Sequence, residues 1–398
     1  MTDSPTTDFP TGWPATATLA PSPLAPLSPF DAEPTGRTVF GPGSIARLPE
    51  LIDGLGQRRA FVVTDPGIKA VGILDRVLSV LADAGLETGV YAEVGPNPST
   101  ANVDAGAEAA RAFGPAVVVA LGGGSSLDAA KGIALLVGNA GARAADADEL
   151  WEAFDGLPLI AVPTTSGTGA ETNGFGVIED TAACRKLYIG HASVKPLVAL
   201  LDPELTLGIP AHITAATGID ALVHGVESLA SRGANALSVA YATQAVTLVG
   251  HWLPAAYRDG ADLTARSQLM LGAHLAGQAL TRSGLGLVHG LGHAITAHTG
   301  TPHGVALAAV FEEVMAYNLD SAPAAYAQAA HALQATSAID AVHEIAGAVD
   351  VKRPLRDLGV TADLLHPIAT AALADAVTKN NPRTPTEAEI LELLRPLL

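Results

Sequence analysis

A histidine-rich run at residues 286–303 constrains this chain more than any other stretch. It reads GLVHGLGHAITAHTGTPH, an apolar segment punctuated by glycines. His289 and His293 are four positions apart, so a helix would carry both imidazoles on one face. His303 follows Pro302, and we expect a turn there that returns a third imidazole towards the first two. The run therefore predicts a helix, a turn and a cluster of imidazoles in apolar surroundings.

A second pair at helical spacing lies upstream, in the segment TGIDALVH at residues 217–224. Asp220 and His224 are again four positions apart. Three imidazoles and one carboxylate form a ligand set that suits a divalent metal such as Fe²⁺ or Zn²⁺. The alternative is a set of unrelated core or surface histidines. Two such pairs in apolar helical segments favour the metal site.

Composition and charge exclude several classes of protein. The chain has 398 residues, enough for two domains that each bury a core. Its 48% hydrophobic and 16% charged residues are typical of a packed globular protein. The formal net charge of −18 argues against nucleic acid and anionic membranes as partners. No apolar run reaches membrane-spanning length, and the single cysteine, Cys184, fits a reducing cytoplasm.

The pattern along the chain divides it into three regions. Residues 1–35 are rich in Pro, Thr, Ser and Ala, and we expect a disordered tail rather than a signal peptide. Residues 36–206 alternate apolar strands with helical segments, which predicts a doubly wound α/β domain. Residues 207–398 are Ala- and Leu-rich with helical periodicity, which predicts an all-helical domain of about seven or more helices. The strands of the α/β domain are expected at residues 60–65, 87–94, 116–121, 157–162 and 196–201.

A glycine loop follows the third predicted strand. Gly122, Gly123 and Gly124 would let the backbone approach a phosphate closely. Ser125 and Asp128 have capping-box spacing, which predicts a helix start whose dipole points at the same anion. The loop lacks both a Walker lysine and a GxGxxG pattern with a later acidic residue. A tight turn could use the same residues.

Two other strand ends carry candidate nucleotide-binding groups. Asp65 ends the first predicted strand, where its carboxylate would accept a hydrogen bond from a ribose 2′-hydroxyl and repel a 2′-phosphate. The alternative is that Asp65 only caps the turn before Pro66. The hydroxyl-rich loop PTTSGTGAET at residues 163–172 would bind a ribose or a phosphate, or form an ordinary turn.

With both halves assembled, the chain resembles the iron-containing (group III) alcohol dehydrogenase family from about Arg37 to its C-terminus. Four ordered motifs carry the resemblance: GGGSSLDAAK ending at Lys131, PTTSGTGAE ending at Glu171, AATGIDALVH ending at His224, and the histidine run. The resemblance implies an N-terminal α/β domain that binds NAD(P) and a C-terminal helical domain that holds a metal. This architecture is shared with dehydroquinate synthase.

The resemblance also implies roles for individual residues. The metal ligands are expected at Asp220, His224, His289 and His303, and His293 matches a histidine that lies beside cofactor and substrate without binding the metal. The residues expected to contact the dinucleotide are Asp65, Asn97, Gly123, Gly124, Ser125, Thr164, Thr165, Thr168 and Lys186. His298 has no expected counterpart and faces either the substrate or the surface.

Together these features predict hydride transfer between NAD(P)(H) and a small alcohol and its aldehyde or ketone. The metal, Fe²⁺ in the first place and Zn²⁺ as the alternative, would act as a Lewis acid on the substrate oxygen. His293 would relay the proton, and Gly174, Gly176 and Gly284 would leave room for the substrate.

NAD(H) is favoured over NADP(H) because of Asp65, and we expect a cytoplasmic homodimer. Two other functions remain open. A non-redox enzyme like dehydroquinate synthase would need a different ligand set and more basic residues for a phosphorylated substrate. A catalytically silent assembly protein would not need its metal ligands and would be free to lose them, so the intact ligand set argues against this alternative.

Overall fold

The structure is a computed structural model that describes residues 30–31, 36–152, 155–181 and 185–398. Nearly all of the predicted tail at residues 1–35 lies outside the described residues, and so does Cys184. The described part contains an α/β half and a helical half, which confirms the predicted fold class.

The N-terminal half is built on a six-stranded parallel sheet in the order β1-β8-β5-β4-β2-β3. A separate antiparallel hairpin pairs β6 with β7. The strands are β1 (Arg37–Phe40), β2 (Arg59–Val63), β3 (Glu87–Tyr91), β4 (Val117–Gly122), β5 (Leu159–Pro163), β6 (Phe175–Asp180), β7 (Arg185–Gly190) and β8 (Val198–Leu201). The helices of this half are α1 (Leu48–Gly54), α2 (Pro66–Ala70), α3 (Ile73–Asp83), α4 (Thr100–Phe113) and α5 (Gly124–Gly138).

The central strand β4 shows why this half forms a three-layer sandwich. Its run of Val, Ala and Leu is buried on both faces, as in parallel sheets covered by helices. Val117 and Val119 pack in the core that contains α1 and α3, whereas Val118 and Ala120 pack in the core that contains α4 and α5. The alternation of side chains along a strand therefore supplies both cores from one run of apolar residues.

The five predicted strands correspond to β2, β3, β4, β5 and β8. Strand β1 and the β6–β7 hairpin are additions that the sequence interpretation missed. The hairpin strands alternate buried and partly exposed residues and include charged ones, so they lack the continuous apolar signal of the buried strands.

The predicted capping box at Ser125 and Asp128 is wrong. Helix α5 begins at Gly124, and its N-cap is Gly123, which has no side chain to cap the helix. Asp128 instead accepts a hydrogen bond from the backbone N–H of Val177 at 3.0 Å. Its carboxylate thus joins α5 to the hairpin, a contact between elements that sequence spacing does not reveal.

The helical half contains nine α-helices within the described residues. They are α6 (Ala211–Ala230), α7 (Ala236–Arg258), α8 (Leu263–Ser283), α9 (Leu287–Thr299), α10 (His303–Asn318), α11 (Pro323–Ala332), α12 (Ala338–Ala348), α13 (Leu365–Ala374) and α14 (Glu387–Leu394). Helix α6 packs against α7, α8, α10 and α11 and is buried over most of its length. Among the described residues, no helix is both long and apolar enough to span a bilayer.

Close helix contacts in this half depend on glycine. A methyl group on Gly304, the second residue of α10, would overlap the backbone carbonyl oxygen of Ala216 on α6. Gly225 lets α6 approach Val246 of α7 in the same way. These contacts fix how closely α6, which carries Asp220 and His224, can pack against α10 and α7.

We expect Gly304→Ala to destabilise the protein by about 1–3 kcal/mol, because the added methyl group meets backbone that cannot move independently. The matched control is Gly347→Ala on α12, where a methyl group meets nothing within 4 Å. That change should stabilise the protein by about 0.5–1 kcal/mol, since alanine favours the helix. Thermal and urea unfolding of both variants measure the difference; a Gly304→Ala protein as stable as the wild type would contradict it.

Candidate active site

A cavity of about 220 Å³ lies between the carboxyl ends of the sheet strands and the helical half. The α/β half and its hairpin contribute Asn97, Gly124, Ser125, Asp128, Thr168, Phe175, Lys186 and Tyr188 to its lining. The helical half contributes Asp220, His224, His289, His293 and His303, together with apolar residues such as Leu280 and Leu285. Every histidine and aspartate that was predicted as a metal ligand therefore faces one cavity.

The candidate ligands come from three helices. Asp220 and His224 lie one turn apart on α6, and His289 lies on α9. Potential ligand atoms of these three residues lie within 4.8 Å of one another. The Oδ1 atom of Asp220 is 3.3 Å from His224 Nε2, 3.4 Å from His289 Nε2 and 3.9 Å from His303 Nε2. His303 is the first residue of α10, directly after the turn at Pro302.

Two buried polar atoms at the centre of this cluster have no hydrogen-bond partner among the described residues: Asp220 Oδ1 and His289 Nε2. Leaving such atoms unpaired in the interior costs about 1–3 kcal/mol each. A divalent cation between them would satisfy both. The donor set of one carboxylate and three imidazoles fits Fe²⁺ or Zn²⁺, so the residues present fit the metal that the sequence predicts.

The charges of the cluster are strongly coupled. Burial opposes charge on Asp220, but the surrounding imidazoles outweigh it and hold the pKa of this carboxyl well below its usual range. Burial lowers the pKa of His224 to about 4 and that of His303 well below its usual value. Burial also acts on His289, yet the carboxylates of Asp220 and Glu227 raise its pKa to about 9. A cation at this site would therefore compete with protons for the ring of His289.

Glu227 is a candidate functional residue that sequence reasoning missed. Its Oε2 atom accepts a hydrogen bond from His289 Nδ1 at 2.6 Å. The bond places the proton of this ring on Nδ1 and leaves Nε2 facing Asp220. The signal was present in the sequence, because residues 220, 224 and 227 follow helical spacing and lie on one face of α6.

His293 lines the cavity one turn after His289, and a carboxylate from outside α9 holds its ring in place. Its Nδ1 atom lies 2.7 Å from Asp375 Oδ2, and Asp375 Oδ1 accepts a hydrogen bond from the Tyr188 hydroxyl at 3.1 Å. Burial and the nearby Asp375 raise the pKa of Tyr188 well above its usual value, so the hydroxyl remains a donor. The ring of His293 stacks on that of His303, with centroids 5.1 Å apart.

The residues predicted to contact a dinucleotide divide into two groups. Five of them line the cavity: Asn97, Gly124, Ser125, Thr168 and Lys186. The other four lie at the carboxyl ends of the adjacent strands β2, β4 and β5: Asp65, Gly123, Thr164 and Thr165. Asn97 has a φ of 50°, a left-handed conformation that is uncommon for a residue other than glycine.

Asp65 has two local partners. Its Oδ1 atom accepts from the N–H of Ile68 at 3.0 Å and so caps α2. Its Oδ2 atom accepts from the Ser126 hydroxyl at 2.8 Å. The capping role that was considered as an alternative is therefore present in the structure. Each carboxylate oxygen has a further lone pair, so this role does not exclude contact with a ribose.

The hairpin that covers the cavity is anchored by Lys131. This lysine is fully buried, and its Nζ atom donates to Asn173 Oδ1 at 2.9 Å and to the carbonyl oxygen of Phe175 at 2.6 Å. Burial lowers its pKa. Because Lys186 and Tyr188 lie on β7, the anchor holds both residues over the cavity.

The idea that Gly174, Gly176 and Gly284 leave room for a substrate is wrong. A methyl group on Gly174 would lie 2.7 Å from the carbonyl oxygen of His191, and one on Gly176 would lie 2.8 Å from Asp128 Cα. On Gly284 it would overlap the side chain of Asn380. These glycines allow close packing of backbone. His298 is exposed on α9 and does not line the cavity, so it takes the surface position.

Comparison with known proteins gives consistent relatives for both halves. The family model described as "Iron-containing alcohol dehydrogenase" matches residues 34–203. The model "Fe-containing alcohol dehydrogenase family, C-terminal" matches residues 214–398. Together the two models cover nearly all of the described chain.

Individual proteins agree with the family models. The probable alcohol dehydrogenase EutG of Escherichia coli (strain K12) is 36% identical, over 89% of this chain and 91% of its own. The NAD-dependent methanol dehydrogenase of Bacillus methanolicus is 30% identical, over 90% of this chain and 97% of its own. A crystal structure of 1,3-propanediol oxidoreductase superposes with a TM-score of 0.88 at 32% identity, covering 92% of this chain and 98% of that one.

We expect purified protein to hold about one divalent metal per chain, and His289→Ala to fall well below that, because a central ligand is lost. The matched control is His298→Ala, which removes an exposed imidazole from the same helix and should keep the full metal content. Metal analysis of folded, monodisperse protein measures both. Equal metal content in the two variants would contradict the assignment of His289.

Proposed function

The chain belongs to the iron-containing alcohol dehydrogenase family, and we propose that the cavity between its α/β half and its helical half is the active site. The protein is a metal-dependent oxidoreductase that transfers a hydride between NAD(P)(H) and a small alcohol and its aldehyde or ketone. The observation that supports this cavity is the buried cluster around Asp220, at whose centre Asp220 Oδ1 and His289 Nε2 lack a hydrogen-bond partner.

The proposed metal ligands are Asp220, His224, His289 and His303. The family favours Fe²⁺, and the donor set also suits Zn²⁺. A metal bound here supplies Lewis acidity that stabilises negative charge on the substrate oxygen. His293 is proposed not to be a ligand, because a catalytic metal site keeps one position for its substrate.

His293 is proposed to move the proton of the substrate hydroxyl. Asp375 accepts from Nδ1 and is itself held by Tyr188, so the ring presents Nε2 to the cavity. An imidazole held in one orientation can transfer a proton with little reorganisation. The apolar residues Leu280 and Leu285 line the same cavity, so they limit the access of water and favour a substrate without charge.

The proposed dinucleotide site joins the loops after β2, β4 and β5 to the hairpin. The backbone of Gly123 and Gly124 at the start of α5 offers free N–H groups to a phosphate. Gly124 cannot carry a larger side chain there, because a methyl group would lie 2.6 Å from Thr168 Cγ2. The dinucleotide supplies the hydride-transfer chemistry of its nicotinamide ring. NAD(H) is proposed as the preferred form, because the carboxylate of Asp65 would repel a 2′-phosphate.

Two other functions are less well supported. A non-redox enzyme that acts on a phosphorylated substrate would need several cationic side chains. Among the described residues that line the cavity, Lys186 is the one lysine, and arginine is absent. A silent assembly protein would not require the buried ligand cluster, which is complete.

The proposed setting is a homodimer in the cytoplasm. A reducing compartment suits a chain with one cysteine. The edge strand β1 leaves Phe40 41% exposed, and the neighbouring Leu197 is 45% exposed. Among the described residues, the outer edge of β1 pairs with no other strand. A strand edge of this kind with large apolar side chains is a surface that a second copy would cover.

We expect the wild type to form NADH from a panel of short alcohols with a higher kcat/KM than it forms NADPH. Asp65→Asn should raise the NADP(H)/NAD(H) ratio of kcat/KM by about fivefold or more, since one charge near the 2′-phosphate is worth at least about 1 kcal/mol. Asparagine keeps an acceptor for the Ile68 N–H, so the cap of α2 survives. A wild type that prefers NADPH would overturn the ribose assignment.

We expect His293→Ala to keep its metal while its turnover falls roughly 10²–10⁴-fold, the usual contribution of a general acid–base. Metal content, melting temperature and kcat are measured on one preparation, with His298→Ala as the control that should keep all three. Loss of the metal would show that His293 is a ligand. Normal turnover would exclude a role in proton transfer.

A further inference from the structure

Glu227 is a buried carboxylate that lies behind the metal cluster rather than in the cavity. It is 7% exposed and occupies the same face of α6 as Asp220 and His224. Its two oxygens accept from different donors: Oε2 from His289 Nδ1 at 2.6 Å, and Oε1 from the backbone N–H of Val288 at 2.8 Å. Both donors belong to the first turn of α9.

The start of α9 depends on this carboxylate. The first N–H groups of a helix have no partner within the helix, and the N-cap of α9 is Gly286, which has no side chain to accept from them. Glu227 accepts from Val288, and Asn381 accepts from the N–H of Leu287 at 3.2 Å. Acceptors from elsewhere in the fold therefore replace a local cap.

The same carboxylate determines which ring nitrogen of His289 carries the proton and which faces the metal cluster. A histidine binds metal through one ring nitrogen only when the other holds the proton, and the partner of the second nitrogen sets that choice. Here the partner of Nδ1 is Glu227, and Nε2 points at Asp220, 3.4 Å away. One side chain thus fixes the position of the helix start, the orientation of the ring and the nitrogen left for the metal.

We propose that Glu227 is a positioning residue that sets the affinity of the site for its divalent metal by orienting His289. This inference rests on the proposed role of His289 as a metal ligand. Glu227 acts through His289 and does not itself reach the substrate, because it does not line the cavity.

Glutamine cannot replace this carboxylate. Two N–H donors converge on Glu227, and an amide side chain has one oxygen to offer them. If the oxygen of Glu227→Gln accepts from Val288, its NH₂ group faces Nδ1 and favours the ring form whose proton lies on Nε2, which blocks metal binding. If the oxygen accepts from His289, its NH₂ group faces the N–H of Val288. The metal site or the helix start is impaired in either case.

The test is the affinity of the full chain for Zn²⁺, measured by competition with a chelating dye. We expect Glu227→Gln to raise the Kd for Zn²⁺ by about 10–100-fold, the usual effect of losing the hydrogen-bond partner of a ligand. The matched control is Asn381→Ala, which removes the acceptor of Leu287 at the same helix start but does not touch the ring of His289. It should lower the melting temperature and leave the Kd near that of the wild type.

A third variant, Glu227→Asp, keeps the charge but is one methylene shorter, so it cannot reach both donors. It should also bind Zn²⁺ more weakly than Asn381→Ala, and it provides the test if the glutamine variant does not fold. A wild-type Kd in the Glu227 variants, or an equal loss in Asn381→Ala, would overturn this inference alone. Failure of the wild type to bind Zn²⁺ would overturn the ligand assignment and this inference with it.

Discussion

The burial of the Asp220 carboxylate among imidazoles is the constraint on which the helical half depends. A charge in the interior is tolerated only when other charges or hydrogen bonds compensate it. The protein meets this demand with rings from α6, α9 and α10, and each ring must reach a point near one oxygen atom. The helices must therefore pack at short and fixed separations, which explains the glycine at the contact between α10 and α6.

The α/β half meets a different requirement, that of presenting backbone rather than side chains. Its strands end in loops of glycine and hydroxyl residues, and those after β2, β4 and β5 lie side by side because these strands are neighbours in the sheet. The β6–β7 hairpin forms one wall of the cavity. Hydrogen bonds of Lys131 and Asp128 with the chain between Asn173 and Val177 hold it in place. The two halves thus supply distinct chemistry to a common space: polar backbone on one side and titratable rings on the other.

The sequence predicted the parts whose signal is local or periodic. Continuous apolar runs identified the buried strands, and spacing of four placed Asp220 with His224 and His289 with His293. The features it missed depend on contacts between distant segments. Nothing near Asp128 indicates that its carboxylate meets the N–H of Val177, and nothing near His293 points to Asp375. The glycines at 174, 176 and 284 were misinterpreted because an absent side chain signals space and close packing equally well.

The origin of the ligands in three helices has a thermodynamic consequence. Asp220 and His224 are separated from His289 by the whole of α7 and α8, so a bound metal would cross-link segments that are far apart in the chain. A ligand that binds only the folded state stabilises it in proportion to the logarithm of its free concentration over its dissociation constant. The melting temperature of this protein should therefore follow the supply of metal, so that scarcity of the ion would destabilise the fold itself as well as reduce turnover.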